Sequence, residues 1–347
     1  MKTCRKILVL PILLFLSLTA FGQNNNDVKK LVDDGVALFD KGDYKTAMEK
    51  YKAALAINPN DLRADFEMGY TLYTTGKGME AIAYLEPILK SNDSKYETYE
   101  LLGSIYDDNN QPEKAIESYK AGIKDKPDFE RLHFNLAVTY ERLKRYADAE
   151  AEAIEALKLD PTHASAHRIY GFATLNQNKK SCAILAFCNF LLLEPQSDRS
   201  ALVYKYLDTI FKQQEGKNIV LDGKNFSGKD LTPLTIAEIS VNLAVTTKDT
   251  LSKLGKTSPV DQMMIQLKTV FIGAGNASKK AGAKKDFFWT FYADYFYKLE
   301  ESDNILAFTH YISLSAYKNE EDLAWFKDHD KELKDFQKWV DDTKHDL

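Results

Sequence analysis

Five alanines recur at one constant step of thirty-four places: Ala47, Ala81, Ala115, Ala149 and Ala183. Two other residue classes keep the same step. Gly35, Gly69, Gly103, Ala137 and Gly171 lie twelve places before the alanines. Pro59, Pro127, Pro161 and Pro195 lie twelve places after them, with Asp93 as the one gap. Chance does not hold three such classes in one phase over five consecutive periods. A chain with this period is a stack of copies of one small unit.

The chemistry of each class says what the unit is. Apolar residues recur three or four apart in two runs per unit, the spacing of two amphipathic helices. The Gly or Ala of the first run and the Ala of the second leave no bulk, so the two helices can approach closely and cross antiparallel. Tyr51, Leu85, Tyr119 and Phe187 follow one turn beyond the Ala and fill the space beside it, with Ala153 as the exception. The Pro forces its predecessor into extended backbone and ends the second helix. Ile57–Asp61 and Leu159–Thr162 supply Asn, Asp or Thr as caps for the next helix.

This frame resembles the tetratricopeptide repeat, a helix-turn-helix family whose unit has the same length. The match covers five units, 28–61, 62–95, 96–129, 130–163 and 164–197. It departs at the family's opening Trp, where Leu31, Asp65, Tyr99, His133 and His167 stand. Unit two also lacks the Pro. The resemblance implies an all-α fold, a tetratricopeptide-type α-solenoid wound as a right-handed superhelix, because one unit cannot bury its own apolar face. In the family the first helix of each unit, helix A, lines a concave groove that holds a peptide or a partner helix. Carried over place by place, this assigns the groove residues Phe39, Arg63, Phe66, Tyr70, Tyr73, Arg131, Phe134, Arg168 and Phe172. Unit three contributes the acids Glu97, Glu100 and Asp107 instead. Aromatic and Arg side chains are the usual anchors of a protein-binding surface. The carboxylate clamp of one subfamily needs Lys and Asn where this chain has Val32, Val36, Phe66 and Tyr70, so a clamp cochaperone is rejected.

The ends of the chain carry different signals. Residues 1–22 read as a secretory signal peptide: Lys2, Arg5 and Lys6, then the apolar stretch Ile7–Phe21, then Ala20-Phe21-Gly22 as a cleavage site after Gly22. The apolar stretch is shorter than a bilayer span, so no integral span is expected after cleavage. Cys4 precedes the apolar core, which argues against a lipid-anchored Cys. The expected location is therefore exported, periplasmic or secreted. Cys182 and Cys188, six apart on one helix, are expected to be buried free thiols. Beyond the repeats, 198–214 is expected to be a capping helix with Leu202, Tyr206 and Ile210 as its apolar face. Residues 215–233, rich in Gly, are expected to be a linker, with Ile219–Leu221 either a brief strand or an extended anchor. Residues 234–343 are a C-terminal helical region: helices over Leu234–Leu254 and Pro259–Ala274, a turn over Gly275–Lys285, an aromatic helix over Asp286–Glu300, then helices over Asn304–Tyr317 and Glu320–Thr343. The pair 286–317 looks like a degenerate repeat, and its aromatic helix is expected to be core or domain interface.

No chemical motif is complete. Gly223–Asp230 approaches a phosphate-binding loop, but Asp230 replaces the Mg²⁺-binding hydroxyl. Gly273-Ala274-Gly275 lacks a third glycine and a βαβ setting. His163 and His167 stand four apart without a Glu between them, and His310, His329 and His345 are scattered. Lys plus Arg total 46 against 51 acidic residues, a net charge of −5 that becomes −8 on signal removal, so no basic excess points to nucleic acid. The expectation is an exported scaffold that binds a protein or peptide, with no cofactor, nucleotide, metal or catalytic residue, and with self-association open. The rival expectation is an enzyme or ligand-binding module in 218–347 with the repeats as its docking arm.

Overall fold

In the computed structural model, residues 10–91, 93, 95–212, 232–254, 258–282, 285–316 and 320–345 are described. The near-phosphate loop Gly223–Asp230, the extended piece Ile219–Leu221 and Cys4 lie outside these residues, as does the expected linker apart from Thr232 and Pro233. The regular structure of the described residues is helical. Ten helices form the repeat region: α1 (Leu10–Phe39), α2 (Tyr44–Ile57), α3 (Leu62–Thr74), α4 (Gly78–Leu89), α5 (Tyr96–Asp108), α6 (Pro112–Asp125), α7 (Glu130–Arg142), α8 (Tyr146–Leu159), α9 (Ala164–Leu175) and α10 (Lys180–Leu193). Odd-numbered helices are helix A of a repeat, and even-numbered ones are its second helix, helix B. Helix α1 starts before repeat one; within it Asn25, Asn26 and Asp27 are exposed and Val28 is buried. The chain divides into two compact lobes, Met1–Thr139 and Tyr140–Leu347.

The repeat frame is a packing frame. All five register alanines, Ala47 through Ala183, are fully buried. The glycine of helix A is covered by the bulky residue sixteen places later on helix B. A Cβ on Gly35 would sit 2.4 Å from the Tyr51 ring, one on Gly103 2.3 Å from Tyr119, and one on Gly171 2.4 Å from Phe187. Leu85 closes on Gly69 in the same way, at 2.8 Å. Glycine therefore stands there for contact, not for flexibility. Repeat four replaces both members, with Ala137 and Ala153 each fully buried.

The turns keep the same period. Gly42, Gly76, Asn110, Lys144 and Asn178 all have φ between 55° and 79°, and they too fall thirty-four places apart. The residue after each donates its N–H five places back, as Lys77 to Leu72 O at 2.8 Å and Gln111 to Tyr106 O at 2.8 Å. That left-handed closure ends helix A and points the chain back into helix B. At the other end, the residue before each Pro donates to a carbonyl of the last turn, as Asn58 to Ala54 and Asp160 to Ala156. Asp43 and Asp61 cap α2 and α3 through their side chains.

In the second lobe, α11 (Asp198–Lys212) follows the repeats. Its buried stripe is Val203, Leu207, Ile210 and Phe211, while Leu202 and Tyr206 are 49% and 41% exposed. The expected face is thus out of phase by one place, since only Ile210 is shared. Then come α12 (Pro233–Leu254) and α13 (Pro259–Ala281), packed along each other. Ser258 and Asp261 form a reciprocal capping box ahead of Pro259. Helix α13 runs on through the turn expected at Gly275 and ends at Gly282, φ 57°. Its two interior glycines are close-approach positions: a Cβ would stand 2.1 Å from Ser240 at Gly273 and 2.0 Å from Tyr297 at Gly275.

The aromatic segment is a π-helical turn, Phe288–Ala293, continuing into α14 (Asp294–Glu301). Next is α15 (Ile305–Ser313), then α16 (Glu320–Asp328) and α17 (Asp330–Asp342). Both α14 and α15 pack on α13, and their rings meet there: Phe271 lies 4.8 Å from Phe296 and 6.1 Å from Phe308. The segment 286–317 thus shares α13 as a common partner, where a repeat would pair its own two helices. The aromatic turn also reaches repeat five. Tyr292 stacks on Tyr170 at 5.4 Å, and its hydroxyl donates to Nδ1 of His167 at 2.5 Å. Ser181, at the start of α10, donates N–H and Oγ–H to Glu238 of α12 at 2.8 and 2.6 Å.

Candidate protein-interaction face

The nine groove residues are assigned by place in the repeat, and the helices set their surroundings. In the first lobe, α1 and α3 bring Phe39, Phe66 and Tyr70 together. The Phe39 and Tyr70 rings are 5.4 Å apart, and Phe66 lies parallel to Tyr70 at 6.4 Å. Phe39 also meets Tyr44 at 5.2 Å. Phe39 and Phe66 are half-buried, whereas Tyr70 is 42% exposed. The three rings hold one another in place, with the Tyr70 ring open to water.

The charged members are tied down. Arg63 pairs with Asp33 at 2.6 Å, from α3 to α1. Arg131 pairs with Glu100 at 2.8 Å and lies over the Phe129 ring at 5.0 Å. Asn135 also donates to Glu100, at 3.3 Å. Tyr73 donates to Asp108 at 2.8 Å, and burial, with that acid beside it, lifts its hydroxyl to about 12. Burial raises the carboxyl of Glu100 above its ordinary range although Arg131 opposes the shift. Glu67 is raised by the same cause. Phe134 is half-buried on α7. Of the first-lobe residues the structure thus clusters Phe39, Phe66 and Tyr70, and it distributes Arg63, Tyr73 and Arg131 among helix-to-helix polar ties.

In the second lobe, α9 carries Arg168 and Phe172. The Arg168 guanidinium lies 5.9 Å from the Phe172 ring centroid. Burial lowers the affinity of Arg168 for its proton, with Arg199 nearby adding to the effect. Phe172 is held edge-on between Phe187 at 5.1 Å and Tyr206 at 5.0 Å, so it serves packing. Exposed Tyr206 of α11 is thereby given a role that its phase in α11 alone does not reveal.

Some placements have no sequence signal. His133 and His167 occupy the family's Trp place, and each ring turns Nε2 to the carbonyl of the Pro six places before it, at 3.1 Å and 2.9 Å. An imidazole can tie one helix to the end of the previous one, as a Trp N–H could. Burial pushes the His167 ring down to about 3, so it stays neutral. Asp65 sits at the same place in repeat two, buried, with Oδ2 lacking any hydrogen bond among the described residues. Burial, then Asp61, raises it to about 6. The scattered histidines are also partly gathered: His310 pairs with the buried Asp322, and Trp325 lies stacked between His310 and His329. Cys182 and Cys188 are buried free thiols pushed well above their ordinary range by burial. Among the described residues, no cluster of His, Cys, Asp and Glu could hold a metal ion, and no helix is long and apolar enough to cross a membrane.

Comparison with known proteins agrees with the repeat fold. The family description "Psidin, N-terminal TPR repeats region" matches residues 37–166. The phagocyte signaling-impaired protein of Drosophila pseudoobscura pseudoobscura is 25% identical over 123 residues, 35% of this chain and 13% of that protein. The general transcriptional corepressor ssn6 of Schizosaccharomyces pombe is 26% identical over 136 residues, 38% of this chain and 12% of that protein. The chain thus spans about an eighth of the length of these relatives. Among solved structures, that of Pseudomonas aeruginosa pilF superposes with a TM-score of 0.50 at 18% identity, covering 55% of this chain and 86% of that one. At that identity the likeness is one of fold.

Proposed function

We propose that this chain, whose residues 37–166 match a tetratricopeptide-repeat region, is an exported scaffold that captures a peptide or a partner helix on the helix-A face of its repeats. The observation that carries the reading is the cluster of Phe39, Phe66 and Tyr70, with Tyr70 presented to water. Such a ring gains contact area when a partner covers it, at small entropic cost. Arg63 and Arg131, already paired, line the same face as polar neighbours that fix register. The mechanism is reversible binding with no bond made or broken.

Export rests on residues 1–22, whose basic start, apolar middle and small-residue end fit a cleavable signal. Fractionation of the native host should find the chain in the envelope or medium with a new N-terminus at Gln23. Deletion of residues 2–22 should leave it in the cytoplasm, and an unchanged distribution would reject the export reading.

The binding reading has its own test. Peptides selected from a displayed library against the chain should bind the wild type. They should lose about tenfold or more on the double variant Phe66→Ala/Tyr70→Ala. The thermal melt of that variant should stay within a few degrees. Equal binding by the variant would remove this face from the reading.

A further inference from the structure

The second lobe contains a cavity of about 740 Å³ that no repeat requires. Its walls come from Pro161 and Thr162, from the end of α10, from α14, α15 and α17, and from the three residues after α17. Most of the lining is apolar, including Leu192, Phe336 and Val340. The size falls within the range of small-molecule sites, which are commonly apolar with a few placed polar groups.

Two tyrosine hydroxyls in its walls make no hydrogen bond to the rest of the described residues. Tyr295 is only 2% exposed, yet its hydroxyl makes no hydrogen bond among the described residues, and neither does the hydroxyl of half-buried Tyr311. Burial raises both hydroxyls above their ordinary range. Asn189, 1% exposed, turns its amide nitrogen to His167 and leaves Oδ1 unbonded. A hydroxyl without a protein partner, in the wall of such a space, is free to bond whatever occupies it. Two tyrosine hydroxyls able to donate, in the wall of one largely apolar space, suit a ligand group that accepts.

The wall beside them is fixed in place. His345 donates from Nδ1 to the Phe291 carbonyl at 2.7 Å and stacks on Phe291 and Tyr295 at 4.0 and 3.9 Å. Charge selects against ions. Asp341 and Lys344 stand at the lining with opposite signs, and His167 behind Asn189 is held neutral by burial. Both charged residues are exposed to water, so an ion seated against Leu192, Phe336 and Val340 would lose hydration that these screened charges replace only weakly.

We propose that this cavity is a binding site for a small neutral amphiphile, an aromatic or apolar body bearing one hydroxyl or amide group. The body would lie against Phe336, Val340 and Leu192. The polar group would accept from Tyr295 or Tyr311. This site is independent of the helix-A face and would stand if that reading failed.

Titration calorimetry of the full chain with 2-naphthol tests it, with 2-naphthoate and 2-naphthylmethylammonium as charged counterparts. Saturable one-to-one binding of 2-naphthol is expected, with both ions about tenfold weaker or worse. Val340→Trp fills the space and should abolish the binding. Tyr311→Phe removes one hydrogen bond and should weaken it about three- to tenfold. Both variants should keep the wild-type melt, and if either does not fold, the wild-type titrations and the other variant decide. The proposal is overturned by no saturable binding of 2-naphthol, by either ion binding as tightly, or by undiminished binding in a folded Val340→Trp protein.

Discussion

Helix B of repeat three and helix B of repeat five occupy the same place in the repeat frame and lead different lives. In α6 only Ala115, Ile116, Tyr119 and Gly122 are buried, and the charged residues Glu113, Glu117 and Lys120 are left outside. In α10 every residue from Ser181 to Leu191 is buried. Both close a ring over the glycine of their helix A, at Gly103 and Gly171. The frame therefore fixes how the two helices of a repeat meet, and residues outside the frame decide what covers helix B from behind. An apolar surface on all sides is the mark of a helix enclosed on all sides. For α10 the covers are α11, α12, α15 and the aromatic turn.

The largest expected effect tests that contrast directly. Ala183→Trp and Ala115→Trp insert the same bulk at equivalent, fully buried positions. Helix α6 can tilt toward water and should lose about 1–3 kcal/mol, whereas enclosed α10 cannot and should lose about 3 kcal/mol or more. Thermal unfolding of the two variants measures the difference. A larger loss at Ala115 would end the contrast.

Next is the tie from behind. Glu238 accepts from both donors of Ser181 at the N-terminal end of α10. Glu238→Ala leaves that end unsatisfied and should cost about 2 kcal/mol in denaturant unfolding. A change below a few tenths would mean that α12 covers α10 through apolar contact alone.

In the first lobe the sharper probe is pH. The Asp65 carboxyl is raised from 3.8 to about 6 by burial and by Asp61. The folded protein holds this proton more tightly than the unfolded one. Its contribution to stability is therefore full below pH 4 and is lost as pH rises through 6. Asp65→Asn should stabilise the protein at pH 7 by about 1–2 kcal/mol, allowing for solvent screening, and flatten the pH 4–7 slope. Melting curves at pH 4, 5.5 and 7 check the sign. The smallest effect concerns the turn of repeat four, where Lys144 has φ 59°. Lys144→Gly should gain about 0.5–1 kcal/mol by relieving left-handed strain, read as a raised denaturant midpoint.

What the sequence makes visible is whatever depends on residue size. Ala, Gly and Pro are diagnostic because no other side chain meets the steric demand, so five helix pairs and their register are legible in the chain itself. The turn at 42, 76, 110, 144 and 178 is just as periodic but hides, because Gly, Asn and Lys all occupy it. A backbone conformation leaves a weaker trace than a contact. Glycine is ambiguous in the other direction. Gly275 resembles a turn residue, yet it lies inside α13 because the Tyr297 ring needs the room. The phase of α11 is masked because Leu202 and Tyr206 look like a core stripe until Phe172 is seen to take Tyr206 from the side. For the interaction face, place in the repeat names the residues. It does not separate the open Tyr70 from Phe172, which is wedged between two rings. That distinction depends on neighbours far along the chain, Phe187 and Tyr206.

The enclosure of α10 also sets a problem of timing. During synthesis a chain is released from its N-terminal end, and domains close as their parts arrive. The oily rod at Ser181–Leu191 emerges well before α12 begins at Pro233, and the aromatic turn follows later still. Through that interval α10 has partners in α9 and α11, and the side that α12, α15 and the aromatic turn later cover is bare hydrocarbon. A chaperone holding residues 181–191 until α12 arrives would meet the need, and those residues are where nascent-chain crosslinks should gather.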